Sequence, residues 1–347
     1  MKTFNLNSLV RPVIMSIKPY SSARDEFQGI PDDMVFVDAN ENPFNNGLNR
    51  YPDPQQRELK QRLSEIKNIP VNQILLGNGS DEVLDLIFRA FCEPNQDNII
   101  TLPPTYGMYS VLAGLNAVKN MEIELDTNFQ PQVDAILKTV NSQTKLLFLC
   151  SPNNPTANSI NANLIENLLN EFNGIVVIDE AYIDFSKDDS WLSRLNEFPN
   201  LIISQTLSKA YGLAGIRLGI CYASEEIITI LNKIKPPYNI NQLTQSEALK
   251  RVNDLKVVKN EVSQILTERK KLKSELQNIN FVSTIYESDA NFILVKVDDA
   301  NLRYDQLIKQ GIVVRNRTTQ PLCENCLRIT VGTGEENDEL IEVLKGL

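Results

Sequence analysis

The chain is predicted to be an α/β protein, with a mostly parallel central sheet covered by helices on both faces and a smaller α+β domain after it. Three observations predict this. Short apolar runs alternate with helix-length segments across the first two thirds of the chain. Polar residues with chemical capability follow the ends of those runs: Ser80, Tyr106, Asn154, Asp179 and Lys209. From about Thr244 the pattern changes to a charged helical stretch, then to strands interleaved with helices.

Taken in order, residues 1–30 carry Pro12, Pro19 and the run KPYSSAR (18–24) and are predicted to be irregular. MVFVDAN (34–40) is expected to form a strand ending in the polar turn NENPF. NRYPDP (49–54) sets two prolines around an aspartate, an extended or turn segment that exposes Tyr51. A helix is expected from about Gln55 to Lys67 and a strand at 74–77. Gly-Asn-Gly-Ser then opens a helix with Ser80 as N-cap, Asp81 and Glu82 in its first turn, and Val83, Leu84, Ile87, Phe88 and Phe91 as its apolar stripe. Free N–H groups and the dipole at such a helix start favour a phosphate, although an ordinary capped connection carries the same pattern.

Further strands are expected at 98–102, 145–150, 174–179 and 201–203, with a helix over 161–172. In open α/β sheets ligands lie off the carboxyl ends of the strands, so the five polar residues are expected to share one crevice. KPPYNIN (235–241) reads as a hinge, and the lysines and glutamates of about 244–278 as a solvated helical face. The expected division is an N-terminal segment, 1–44, packing with the small domain, a large domain, 45–243, and a small α+β domain, 244–347.

Composition narrows the chemistry. A chain of 347 residues, 42% hydrophobic, buries a large core, and its formal charge of −10 argues against nucleic acid as the main partner. No run resembles a membrane span, and the N-terminus lacks the unbroken apolar region and small-residue cleavage site of a signal peptide. Five cysteines, an odd number, fit a reducing cytoplasm better than a disulfide framework. The complete lack of histidine excludes Ser–His and Cys–His hydrolases and histidine-based metal sites. CENC (323–326) has zinc-ligand spacing but no second pair, so it reads as a turn, and no metal is expected.

The most informative stretch is SQTLSKAYGLAGIRLG (204–219). Lys209 sits among Leu207, Ala210, Leu213 and Ala214, with Thr206 and Ser208 before it, Arg217 after it, and glycines that let the backbone approach a ligand closely. An amine in such a turn suits a Schiff base with a carbonyl cofactor, and the guanidinium and hydroxyls suit the cofactor's phosphate. Asp179 ends a strand apolar on both faces, so its carboxylate calls for a cation such as a protonated pyridine. Tyr182 and Asn154 are candidates to hydrogen-bond a ring oxygen, and Tyr106 to stack on the ring. Arg315 and Arg328, on apolar strands of the tail, are structural ion pairs or clamps for an anionic substrate.

NENPF, RYPDP, GNGSDE, PPTYGMYS, SPNNPT, VIDEAYIDF, TLSKAYGLAGIRLG and CLRITVGT together resemble fold-type I pyridoxal-phosphate aminotransferases and, among them, the histidinol-phosphate aminotransferase family. The resemblance runs from PYSSAR to LRITVGT. It implies pyridoxal 5'-phosphate as cofactor, Lys209 as the Schiff-base lysine, Asp179 as partner of the pyridinium, and Asn154 and Tyr182 on the ring oxygen. It implies phosphate contacts at Gly79, Ser80, Asp81, Thr206, Ser208 and Arg217, and Tyr51 reaching the neighbouring subunit's cofactor, hence a homodimer with shared sites. Arg328 matches the residue that binds the glutamate carboxylate, and Tyr20, Asn42 and Arg315 match substrate positions. The implied reaction is a ping-pong exchange between L-histidinol phosphate with 2-oxoglutarate and imidazole-acetol phosphate with L-glutamate. An aminotransferase for aromatic amino acids or other phosphorylated amines, or an amino-acid-phosphate decarboxylase, shares the same residues. A ligand-sensing regulator of this fold needs a DNA-binding domain, for which residues 1–30 are too short and too broken by proline. The chain departs from the family at Ala157, where glycine is usual, and either a positive φ there costs about 1 kcal/mol of strain or the local turn differs.

Overall fold

The computed structural model describes residues 4–20 and 34–347. Residues 21–24 of the KPYSSAR run lie outside the described residues.

The strands are β1 (Ile74–Asn78), β2 (Asn98–Thr101), β3 (Lys119–Glu122), β4 (Thr144–Cys150), β5 (Ile175–Asp179), β6 (Leu201–Thr206), β7 (Leu218–Ala223), β8 (Val282–Ile285), β9 (Phe292–Val297), β10 (Arg315–Asn316) and β11 (Cys326–Thr330). The α-helices are α1 (Pro12–Ser16), α2 (Arg57–Lys67), α3 (Ser80–Phe91), α4 (Met108–Leu115), α5 (Val133–Thr139), α6 (Ala162–Glu171), α7 (Glu225–Ile234), α8 (Gln242–Asn253), α9 (Leu255–Leu276), α10 (Ala300–Lys309) and α11 (Gly334–Lys345).

The first seven strands form one sheet in the order β1-β7-β6-β5-β4-β2-β3. All its pairings are parallel except those of β7, which lies antiparallel between β1 and β6. The carboxyl ends of the parallel strands therefore share one edge, as expected for an open sheet whose ligand sits beyond it. The strands are apolar on both faces because helices cover both. Leu146, Phe148, Ile175 and Val177 face the core that contains α3 and Tyr109, while Leu147, Leu149, Val176 and Ile178 face the core that contains α6 and Phe185.

The second sheet, β10-β11-β9-β8, is antiparallel throughout. Leu327 and Ile329 pack with α9 to α11, whereas Cys326, Leu294 and Phe292 turn to the other face and join the core of the large unit. Arg328 alternates with Leu327 and Ile329, so the pleat directs it to the large unit as well.

Three expectations are corrected. Residues 34–40 form no strand: Val35 and Val37 are 84% and 90% exposed, and no neighbouring strand closes a hydrogen-bond ladder with them. The described N-terminal residues pack against the large unit, not the small domain. Leu9, Val10 and Ile14 are buried with α3 and β4, and Arg11 pairs with Glu93 at 3.2 Å. The cap of α3 is Gly79, not Ser80, because the chain enters the helix through φ +79°, a conformation costly for any residue with a Cβ. Ala157 does adopt the positive φ of 68° and is fully buried.

Candidate active site

The parallel strands β2, β4, β5 and β6, together with β1, deliver polar residues to the carboxyl edge of the sheet. The cleft there is lined by Ser80, Asp81, Tyr106, Cys150, Asn154, Asp179, Ala181, Tyr182, Thr206, Ser208, Lys209 and Arg217. All but Cys150 and Ala181 are residues expected from the sequence, drawn from the ends of β1, β2, β4, β5 and β6 and the start of β7.

Asp179 is the last residue of β5 and 3% exposed. Its Oδ2 accepts from the Tyr109 hydroxyl at 2.8 Å and its Oδ1 from the Ala181 N–H at 3.1 Å. Burial nevertheless pushes the carboxyl up to about 6, because those two donors do not replace its lost hydration. It makes no ion pair among the described residues, so it suits a cationic ring nitrogen. Glu180, the next residue, turns to the opposite face, where Ser190, the Trp191 N–H and Gln205 hold it. One step along the pleat separates a carboxylate in the site from a structural one.

Lys209 opens to the cleft, with Nζ 5.7 Å from the centre of the Tyr182 ring. The surrounding walls desolvate the amine and lower its pKa, and Arg328 adds to the shift. A lysine less inclined to hold a proton is the better nucleophile toward a carbonyl. Tyr182 is buried, packs edge-on against Phe292 of the small sheet at 5.0 Å, and has its phenol pKa raised by burial.

Opposite, the start of α3 faces Arg217 and the Thr206–Ser208 turn. Gly79 and Gly219 make this approach feasible. A methyl group on Gly219 would lie 2.4 Å from the Ser80 nitrogen, and one on Gly79 2.7 Å from Arg217 Nη2. Arg217 lies 3.5 Å from Asp81, which also accepts from the Tyr106 hydroxyl at 3.1 Å. Thr206 Oγ1 is 2.9 Å from Ser208 Oγ and accepts from the Ser208 N–H at 3.1 Å. Helix-start N–H groups, two hydroxyls and a guanidinium form a phosphate cradle. With the buried carboxylate and the Lys209 amine, this donor set fits pyridoxal phosphate.

The small domain closes the site from the other side. Arg328 Nη1 donates to Asn154 Oδ1, its guanidinium lies 5.2 Å over the Phe292 ring, and burial followed by Arg317 lowers its pKa. Arg315 stands directly across the ladder from Arg328 and is exposed. Neither arginine forms an ion pair among the described residues.

Tyr20, Asn42 and Tyr51 are not among the residues lining the cleft. Tyr20 is 72% exposed, and Asn42 caps its own turn by accepting from the Phe44 N–H at 2.9 Å. Tyr51 stacks on Tyr238 at 4.5 Å. Two residues were missed. Tyr109, one helical turn after Tyr106, carries the hydroxyl bonded to Asp179, and only that spacing hinted at a shared side. Arg317, two residues after Arg315, shares its strand face, a period-two signal present in the sequence.

The sheet, the cleft and the lysine-aspartate-arginine set define an enzyme of amino-group chemistry, and the chain belongs to the aminotransferase class I and II family, whose pattern matches residues 31–344. Within that family the chain is 63% identical to the histidinol-phosphate aminotransferase of Flavobacterium johnsoniae over 346 residues, 99% of each chain. It is 62% identical to that of Christiangramia forsetii over 347 residues, 100% of this chain and 99% of the relative. Among solved structures, the histidinol-phosphate aminotransferase of Clostridium acetobutylicum superimposes with a TM-score of 0.79 at 26% identity, over 86% of this chain and 90% of that one. The Sinorhizobium meliloti enzyme, solved with pyridoxal-5'-phosphate, also gives 0.79, and its 23% identity speaks for the fold alone.

Proposed function

We propose that this chain is a pyridoxal-phosphate aminotransferase that interconverts L-histidinol phosphate and 2-oxoglutarate with imidazole-acetol phosphate and L-glutamate. One observation carries the reading: the Lys209 amine and the buried Asp179 carboxylate meet in one cleft, and Arg328, which forms no ion pair among the described residues, is hydrogen-bonded to Asn154 of its lining. Pyridoxal phosphate, when bound, supplies a carbonyl that exchanges amines and a ring that absorbs carbanion charge.

The protein's part follows from its side chains. Asp179 holds the ring nitrogen in its protonated form, and Asn154 and Tyr182 hydrogen-bond the ring oxygen. Tyr106 covers the ring face. Gly79, Ser80, Asp81, Thr206, Ser208 and Arg217 hold the phosphate. Lys209 Nζ would carry the cofactor's carbonyl at rest and, once freed by the incoming amine, would move a proton from the substrate Cα to the cofactor carbon that bears the amino group within the same half-reaction, and in the opposite direction in the next. Arg328 orients the substrate anion next to that amine, and Arg315 flanks it.

The working form in this reading is a homodimer in a reducing cytoplasm. Tyr51 lies outside its own cleft, and Val35, Val37, Phe44 and Leu48, which precede it in the chain, are exposed, as expected of residues that pack against, and complete, a neighbour's site. All five cysteines are free and buried, and no helix among the described residues is long and apolar enough to cross a membrane.

The test is an absorbance spectrum of the purified holoenzyme, whose lysine-bound cofactor absorbs at roughly 400 nm. L-Histidinol phosphate should bleach the band and 2-oxoglutarate restore it. A band that ignores histidinol phosphate and responds to an aromatic amino acid refutes the assigned substrate. Sedimentation as a monomer at micromolar concentration refutes the shared site.

A further inference from the structure

Three arginines share one face of the small sheet. Arg315 and Arg328 are cross-strand partners in β10 and β11, and the Arg317 N–H donates to the Cys326 carbonyl at 2.8 Å, which extends the same register by two residues. Residues two apart on a strand point the same way, so Arg317 projects with Arg315 and Arg328 toward the large unit.

Among the described residues Arg317 has no carboxylate partner. The charged or titratable groups that act on it are Arg315, Cys323 and Tyr182, and those that act on Arg328 are Arg317, Tyr182 and Arg315. No carboxylate pairs with any of the three among the described residues. The Nε atoms of both Arg317 and Arg328 are buried with no hydrogen-bond partner. Half-buried like charges with unmet donors are costly in a chain with an excess of acidic residues, unless an anion joins them in the working state.

Arg328 and Arg317 are not equivalent toward that anion. Arg328 is anchored to Asn154 of the cleft lining, whereas among the described residues Arg317 is held only through its backbone, two residues farther along the ladder from Arg315. Arg328 is thus nearer the reacting carbon. A glutamate carboxylate is attached directly to that carbon and offers two oxygens, a match for one bidentate guanidinium. A phosphate ester extends farther from it, bears up to two charges and offers three oxygens.

We propose that Arg317 is a specificity-determining residue that supplies a further guanidinium to the phosphate of the phosphorylated substrate and has little part in holding glutamate. The proposal rests on the reaction assigned above. It makes one pocket serve both anions by engaging more arginines for the larger one.

The experiment compares the holoenzyme with its Arg317→Gln and Arg317→Lys variants in single half-reactions followed by the cofactor band, with histidinol phosphate or glutamate as amino donor. Losing one charge-assisted contact should weaken the apparent affinity for histidinol phosphate about 10- to 100-fold. The loss on glutamate should be at least tenfold smaller, and the limiting rates should change little. Competition by inorganic phosphate, with the cofactor in place, should weaken in parallel, and lysine should restore part of each effect. Equal losses on both donors, or none on histidinol phosphate, would overturn the proposal. If the glutamine variant fails to fold, the lysine variant carries the same comparison with a smaller bias. A wild-type enzyme that uses glutamate but ignores histidinol phosphate would sink the assigned reaction instead, and the inorganic phosphate comparison would still decide the role of Arg317.

Discussion

Replacing Asp179 with asparagine should stabilise the cofactor-free protein at neutral pH while abolishing its activity. The carboxyl is buried and shifts from 3.8 to about 6 on folding. A change of about two pKa units corresponds to about 3 kcal/mol. The folded pKa lies above the unfolded one, so the folded chain keeps a proton that the unfolded chain has already lost. Stability is therefore highest below about pH 4, falls as the pH rises through about 6, and stays reduced above that. Asparagine carries no charge and removes this dependence. Its amide still accepts from Tyr109 or Ala181 but loses the charge-assisted part of those bonds, so a gain of about 1–3 kcal/mol at pH 7.5 is expected, shrinking to about zero or a slight loss at pH 4. Urea denaturation of the cofactor-stripped pair between pH 4 and 8 measures the difference, in which all other titrating groups cancel. A difference that does not vary with pH, or a variant less stable at pH 7.5, refutes the assignment of a strained, unpaired carboxylate awaiting a cation. The same substitution should weaken cofactor binding, since the ring nitrogen loses its counter-ion.

Other substitutions test separate parts of the site. Lys209→Ala should remove the visible band of the holoenzyme and reduce transamination to background, and a retained band would move the covalent attachment elsewhere. Gly219→Ala sets a methyl 2.4 Å from the Ser80 nitrogen, so it should cost about 1–3 kcal/mol in urea and loosen the cofactor phosphate; unchanged cofactor dissociation would show that the cradle has slack. Ala157→Gly relieves about 1 kcal/mol of backbone strain at φ 68° but removes a fully buried methyl worth about the same, so the net change should stay within about 1 kcal/mol. A shift larger than about 2 kcal/mol in either direction would show that one term had been misjudged.

Where sequence and structure part company, the cause is register and partnership. The expected strand at 34–40 has the right apolar residues, but a strand needs a neighbour, and no strand among the described residues pairs with it. Ser80 has the right side chain for an N-cap, yet the close approach of β7 to the β1–α3 turn demands Gly79 in that position. The N-terminal residues were expected on the small domain because nothing local distinguishes one apolar surface from another; Arg11, paired to Glu93, fixes them on the large one.

By itself the sequence determined the α/β class, the places of β1, β2, β4, β5 and β6 along the chain and the polar residues that follow them, Ser80, Tyr106, Asn154, Asp179 and Lys209. These are local properties: runs of β-branched and aliphatic residues of strand length, followed by turns in which a polar group interrupts the apolar pattern. Tertiary structure alone decided what holds Glu180 on the opposite face, that Tyr109 is the donor to Asp179, and that Arg317 stands beside Arg315 and Arg328 with no ion pair among the described residues. Each of these depends on the phase of a pleat relative to a partner strand and on what packs against it. That phase is set by hydrogen bonds between segments distant in the chain, which the spacing of neighbouring residues hints at but does not fix.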